Sequence, residues 1–157
     1  MCSSDLEGKW EYRDGLLHQS LSGATRKQFV SIDDHPQDFV ATLRFRLLGG
    51  DKWKSVGLVF DVGEEREKTV YMSGVSGGSK LQVSYQSAGQ TAYPPEGKVS
   101  LSVATGEWYE LRVIVRGKLV NIAINGDETL AYRFSIEREK GKVGFRAFDA
   151  QVEFRLA

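Results

Sequence analysis

Hydrophobic and polar residues alternate with a period of two along much of the chain, most regularly in residues 106–134. Leu111, Val113 and Val115 alternate there with a second set of side chains that includes Arg112. This period is typical of a half-buried β-strand, whereas a helix would repeat its apolar residues every three or four positions. Residues 119–124 continue the alternation. The pattern therefore predicts neighbouring strands.

Two short turns divide this segment. The sequence Arg116-Gly117-Lys118 reverses the chain, and Asn125-Gly126 follows residues 119–124. An Asn-Gly pair is a strong hairpin signal because both residues tolerate the positive φ of a type I′ turn. The segment therefore predicts three antiparallel strands joined as a meander.

The same alternation recurs from Trp10 to the end of the chain, in about a dozen short strands with no convincing helix. Residues 63–68 are predicted to form a charged hairpin tip, and residues 91–100 a loop, because Pro94-Pro95 cannot pair in a central strand. The pattern predicts an all-β, two-sheet antiparallel sandwich, or else a barrel, in one domain over residues 1–157. We expect residues 1–7 to be a flexible terminus. The predicted core comprises Leu43, Phe45, Leu58, Phe60, Leu81, Val83, Leu111, Val113, Val115, Ile122, Ile124, Val143 and Phe145.

Composition and charge exclude several classes. The 157 residues contain 21 Lys plus Arg and 21 Asp plus Glu, a balance that argues against a general nucleic-acid binder. No apolar run reaches the ~20 residues of a membrane-spanning helix. Cys2 is the only cysteine, so no internal disulfide can form. It is either part of a frayed terminus or the lipid-attachment residue of a processed lipoprotein.

Several motifs occur in a recognisable order. They are Trp10 followed by Asp14-Gly15-x-Leu17, then residues 38–47, Trp53 leading into 56–60, 108–126, and 141–148 before an aromatic-bearing last strand. This order resembles concanavalin A-like jelly rolls of the laminin-G-like type. It is most similar to non-catalytic modules of bacterial glycoside hydrolases and planctomycete exported proteins. The resemblance implies two stacked antiparallel sheets, with a sugar on the concave face of one of them.

Catalytic motifs are not found. Two histidines, His18 and His35, and one cysteine are too few for a typical zinc site, and no Gly-x-Ser-x-Gly elbow occurs. The related jelly-roll glucanases use a Glu-x-Asp-x-x-Glu strand motif, which this chain lacks. The acidic pairs at residues 33–34 and 64–65, together with Glu67, are expected in solvated loops.

Calcium is common in the family that the chain resembles, often held by an acidic residue after the aromatic of the last strand. Arg155 stands there, after Phe154. Because calcium requires six to eight oxygen ligands, an arginine opposes the site. Asp14 and Asp149 remain alternative ligands, but we expect no metal and no other cofactor.

The leading expectation is a non-catalytic carbohydrate-binding module of a larger extracytoplasmic protein. The alternatives are a structural or protein-interaction sandwich and a glycoside hydrolase-type enzyme. The partners of the protein would be a glycan, other domains of the same chain or, through edge strands, a second copy in a weak dimer. The candidate ligand-binding residues, which offer aromatic surface and planar polar groups, are Trp53, Asp61, Tyr71, Gln82, Arg112, Asn121 and Arg146.

Two features of this candidate set can be tested by a structure. Arg112 and Asn121 are expected side by side on adjacent strands. Arg146 is expected to share their surface if its strand joins the same sheet. Arg44 and Ser84 also point away from the predicted core and are further candidates.

Overall fold

The computed structural model describes residues 8–155, apart from the side chain of Arg26. Fourteen strands and one short 3₁₀ helix form in this part of the chain. The strands are β1 (Trp10–Arg13), β2 (Leu16–Gln19), β3 (Arg26–Val30), β4 (Phe39–Gly49), β5 (Ser55–Gly63), β6 (Arg66–Ser73), β7 (Lys80–Ser87), β8 (Gln90–Ala92), β9 (Lys98–Ser100), β10 (Trp108–Arg116), β11 (Leu119–Ile124), β12 (Asp127–Arg133), β13 (Lys142–Phe148) and β14 (Gln151–Arg155); the helix spans Pro95–Gly97.

The strands form two antiparallel sheets. Sheet 1 has the order β1-β2-β14-β4-β10-β11-β12, and sheet 2 has the order β3-β13-β5-β6-β7-β8, with β9 also paired to β7. The predicted fold, an all-β two-sheet antiparallel jelly-roll sandwich, is confirmed. None of the described helices is long and apolar enough to cross a membrane.

The apolar faces of the two sheets meet in one core. Phe45, Phe60, Leu81 and Leu111 are fully buried there, as the alternation predicted. The remaining predicted core residues are also buried, except that Val143 and Phe145 are only partly covered. Because side chains alternate between the faces of a strand, fixing the buried set also fixes which residues face outward.

The predicted meander is confirmed in detail. Ile124 pairs with Asp127, so Asn125 and Gly126 are the two central residues of the turn, with φ of 52° and 87°. Both values lie in the left-handed region that a type I′ turn requires.

Three short elements were not anticipated. The sequence did not mark β3 as a strand. Residues 91–100, predicted as a loop, contain the end of β8 and all of β9. Both pair with β7. A tertiary contact of this kind cannot be recognised from the sequence of such short strands.

The predicted hairpin tip at 63–68 is also too long. Gly63 pairs with Arg66, so the turn consists of Glu64 and Glu65 alone, and Glu67 lies on β6. The expected flexibility of residues 1–7 and the role of Cys2 lie outside the described residues.

Candidate functional site

A groove with a volume of about 510 Å³ lies on the outer face of sheet 2. Cross-strand pairing places four residues in one row across its floor: Arg146 opposes Gly57, Gly57 opposes Tyr71, and Tyr71 opposes Gln82. The row therefore presents a guanidinium, a gap, a phenol and an amide on one surface.

The gap at Gly57 is required by the packing. A Cβ at this position would lie 2.1 Å from the carbonyl oxygen of Val70 and 2.5 Å from the Cα of Tyr71. A glycine inside a strand often marks a close approach of this kind. Gly57 therefore lines the groove with no side chain between Arg146 and Tyr71.

Arg146 is held rigidly at one side of Gly57. It forms an ion pair with Glu67 at 2.5 Å and donates hydrogen bonds to the Thr69 hydroxyl at 3.0 Å and to the side-chain oxygen of Gln28 at 2.7 Å. Arg146 is 9% exposed and Glu67 is 7% exposed. A buried cation of this kind is stable because its carboxylate partner is buried beside it.

Tyr71 and Gln82 form the other side. The Tyr71 hydroxyl donates to Oε1 of Gln82 at 2.6 Å. Burial raises the pKa of Tyr71, so its hydroxyl stays protonated at neutral pH. In the described part of the chain the amide nitrogen of Gln82 donates no hydrogen bond to protein, which leaves that donor for a ligand.

Two aromatic residues lie at the rims of the groove. Trp53, in the loop between β4 and β5, is 38% exposed, and Tyr93, after β8, is 59% exposed. The Lys52 ammonium lies 4.5 Å from the centre of the Trp53 ring. Exposed aromatic rings beside a polar floor offer apolar surface on which a ligand can pack.

Asp149 fixes the loop that carries Trp53. Its carboxylate accepts four backbone N–H groups, from Gly23 and Asp51 at 3.1 Å each, Lys52 at 2.7 Å and Trp53 at 2.8 Å. Burial opposes its ionisation, but these donors outweigh burial and lower the pKa of Asp149 to about 2. The carboxylate is occupied by backbone donors, which makes it a poor candidate for the calcium ligand considered from sequence.

Four of the seven candidate residues, Trp53, Tyr71, Gln82 and Arg146, line this one groove. Ser84, a further candidate, lines it as well. Other residues of the groove were not predicted from the sequence. Thr69 and Glu67 lie two and four positions before Tyr71 on β6, so continuing the alternation backwards would have found them, whereas Tyr93 lay in a segment predicted as loop.

The expectation of one shared surface for Arg112, Asn121 and Arg146 is wrong. Arg112 and Asn121 lie on β10 and β11 in sheet 1, whereas Arg146 lies on β13 in sheet 2. Arg112 opposes Ala123, and Asn121 opposes Ile114, so the two residues share a face but are diagonal neighbours. The sequence shows which face a residue takes, but not which sheet its strand joins.

Asp61 is also absent from the groove and is 1% exposed. A positive φ of 52° and a bulge after Phe60 turn it towards the end of the sandwich. There its carboxylate pairs with Lys68 at 2.8 Å and with Arg138 at 2.8 Å. Burial opposes ionisation, but contacts with His35, Arg138 and Lys68 outweigh it, so the pKa of Asp61 lies well below its ordinary value. We assign Asp61 a structural role.

Among the described residues, no group of three or more His, Cys, Asp or Glu side chains is arranged to hold a metal ion.

Solved structures with a similar fold include proteins named for carbohydrate binding or carbohydrate hydrolysis. The carbohydrate-binding module CBM66 from Bacillus subtilis aligns with a TM-score of 0.81 and 13% identity, over 95% of this chain and 89% of that chain. A putative glycosyl hydrolase from Parabacteroides distasonis aligns with a TM-score of 0.64 and 18% identity, over 96% and 82%. The β-glucanase of Bacillus licheniformis aligns with a TM-score of 0.67 and 9% identity, over 92% and 78%. At these identities the likeness establishes the fold.

No curated protein matches the chain by sequence. A family model does match, and it covers residues 3–156, almost the whole sequence. The chain therefore belongs to the family described as the 3-keto-alpha-glucoside-1,2-lyase-like domain.

Proposed function

We propose that the protein is a non-catalytic carbohydrate-binding module that holds a neutral saccharide in the groove of sheet 2. One observation carries the proposal: the row Arg146, Gly57, Tyr71 and Gln82 lies between the aromatic rims formed by Trp53 and Tyr93. The similarity to a carbohydrate-binding module and the family membership support the same class of ligand.

The chemistry of the groove suits a sugar. A pyranose ring has apolar C–H faces that pack on aromatic rings, and its hydroxyl groups both donate and accept hydrogen bonds. Trp53 and Tyr93 supply aromatic surface, while the amide of Gln82 and the hydroxyl of Ser84 supply polar groups. The guanidinium of Arg146 is already neutralised by Glu67, which favours an uncharged ligand over an anion.

Binding without hydrolysis is favoured by the carboxylates present. Glycosidases that use two carboxylates need them about 5–5.5 Å apart to retain, or about 6.5–9.5 Å apart to invert, the anomeric configuration. Glu67 is the one carboxylate among the described residues that line the groove, and it is paired with Arg146. A module of this kind would serve as part of a larger extracytoplasmic protein.

A second candidate function is the elimination named by the family. In a 3-keto-α-glucoside the proton on C2 is acidified by the neighbouring ketone. Glu67 would accept that proton, the C–H electrons would form the C1–C2 double bond, and the aglycone would leave C1 and take up a proton from water. The position of Glu67 beside a cation in a sugar-sized groove favours this candidate, because the cation could stabilise enolate charge on the ketone oxygen.

The binding proposal is tested by titrating the protein with a panel of neutral saccharides, followed by NMR or calorimetry. Trp53→Ala and Tyr93→Ala should each weaken binding about tenfold or more. Tyr12→Ala is the matched control, because Tyr12 is 63% exposed and is not among the groove-lining residues. No binding to any saccharide would favour the structural or protein-interaction alternative.

The two candidates are separated by offering a 3-keto-glucoside and following release of the aglycone. Turnover by the parent that is abolished in Glu67→Gln, with binding retained, would establish the lyase. Binding without turnover would establish the module.

A further inference from the structure

The outer face of sheet 1, opposite to the groove, carries an excess of arginine. On the three adjacent strands β14, β4 and β10, the outward positions include five arginines and two glutamates, and these strands contain no lysine or aspartate. The chain as a whole is balanced at 21 acidic and 21 basic residues. Positive charge is therefore concentrated on this face.

Both glutamates are already paired within the face. Arg44 pairs with Glu110 at 3.0 Å, and Arg46 pairs with Glu153. Arg112, Arg116 and Arg155 are exposed, and within the described residues 8–155 none of the three pairs with a carboxylate. Three guanidinium groups are thus available to an external anion.

Trp108 orients part of this surface. The Arg155 guanidinium lies 4.7 Å from the centre of the Trp108 ring, and that of Arg46 lies 5.0 Å from it. A guanidinium that stacks on an indole keeps its N–H edges free for a planar anion and loses less conformational freedom on binding. Arg155 is therefore partly preorganised.

The arginines form a diagonal line across the strands. Arg155 is the cross-strand partner of Arg44, and Arg112 is the partner of Thr42, two residues from Arg44 on β4. Neighbouring strands are about 4.8 Å apart and alternate residues about 7 Å apart, so the unpaired Arg155 and Arg112 lie about 12 Å from each other, and Arg116 lies about 14 Å beyond Arg112. A linear polymer that carries an anionic group on each unit can reach all three.

We propose that this arginine face, defined by Arg44, Arg46, Arg112, Arg116 and Arg155, binds an anionic polysaccharide of the uronic-acid type. Carboxylates accept bidentate hydrogen bonds from guanidinium groups but not from an ammonium group, which explains why these three strands carry arginines and no lysine. Nucleic acid is less favoured, because strong phosphate-backbone binding needs more neutralising cations than three. The site is separate from the groove and does not depend on the function proposed for it.

The test uses the whole chain and two forms of one polymer. Polygalacturonate and its fully methyl-esterified form share a sugar backbone and differ in charge, so affinity electrophoresis or calorimetry with both isolates the carboxylate contribution. We expect binding to polygalacturonate that weakens with added salt, and at least about tenfold weaker binding to the ester.

Variants locate the site. Arg112→Gln combined with Arg155→Gln should weaken polygalacturonate binding about tenfold while leaving thermal unfolding nearly unchanged, since both side chains are exposed. The control is Lys98→Gln combined with Lys140→Gln, which removes the same charge from exposed positions elsewhere. Arg116→Gln provides a milder second variant.

Three outcomes would overturn the proposal. They are equal affinity for the acid and the ester, equal weakening by the control pair, and tighter binding to duplex DNA than to polygalacturonate. The last would identify the face as a nucleic-acid surface.

Discussion

Replacing Asp149 with asparagine should destabilise the loop that carries Trp53. Asp149 has a φ of 52°, a conformation that asparagine also tolerates, so the backbone can keep its shape. The substitution removes one acceptor oxygen and places an NH₂ group among the four backbone donors that converge there. It thus isolates the contribution of the carboxylate.

The magnitude follows from the pKa. The carboxyl of Asp149 falls from 3.8 to about 2 on folding, and one pKa unit corresponds to about 1.4 kcal/mol. Ionised Asp149 therefore stabilises the fold by about 2 kcal/mol at neutral pH. Because the pKa is lower in the folded state, this stabilisation is present above pH 4 and is lost as the pH falls towards 2.

The assay is urea unfolding followed by tryptophan fluorescence, at several pH values between 7 and 2. Parent and variant should differ by about 2 kcal/mol at pH 7, equivalent to a fall in Tm of about 4–8 °C, and the difference should shrink below pH 4. Taking the difference cancels the other carboxylates, which titrate in both proteins. Asp14→Asn is the control, since Asp14 has a φ of 54° but is exposed in a turn.

Two results would refute this reasoning. One is an unchanged stability of Asp149→Asn at pH 7. The other is a difference that stays constant down to pH 2, which would assign the effect to shape rather than charge. If the variant is less stable as expected, it should also bind saccharides more weakly, because Trp53 would lose its anchor.

Three further predictions follow from other parts of the fold. Gly126→Val should lower the free energy of unfolding by more than ~1 kcal/mol, because valine resists the φ of 87° found there; urea unfolding measures it, with Gly126→Asn as the tolerated control. Asp61→Ala should destabilise by about 3–5 kcal/mol, because Lys68 and Arg138 would stay buried without their anion, and a Tm equal to that of the parent would contradict the structural role of Asp61. Adding a chelator should leave the Tm unchanged, and a fall reversed by calcium would show that the protein holds this ion.

The sequence predicted most of the fold because local signals, namely the alternation of apolar residues and the turn residues, specify most of the strands. Alternation along β10 and β11 assigned the buried face, and the Asn125-Gly126 turn set the register between β11 and β12. The short strands β8 and β9 were not predicted, because they form by pairing with β7 and have little alternation of apolar and polar residues.

The site was predictable only in part, for a related reason. Alternation predicted that Gln82, Arg112 and Arg146 face away from the core, and all three do. Alternation does not show which strands share a sheet. Only two strands separate β10 from β13 along the chain, but β10 and β13 lie in different sheets. Asp61 was predicted to lie on the outward face with the other candidates, but a bulge breaks the alternation at that point. Such a bulge cannot be recognised reliably from the sequence.

The position of the last two strands has a consequence for how the protein is made. β13 lies between β3 and β5 inside sheet 2, and β14 lies between β2 and β4 inside sheet 1. Neither sheet is continuous until residues 142–155 have been synthesised and inserted. A growing chain on the ribosome therefore holds two incomplete sheets with open central edges, the kind of surface that pairs with other chains. The sandwich cannot close before residues 142–155 are available, so its apolar core stays exposed to chaperones and to aggregation until they have emerged.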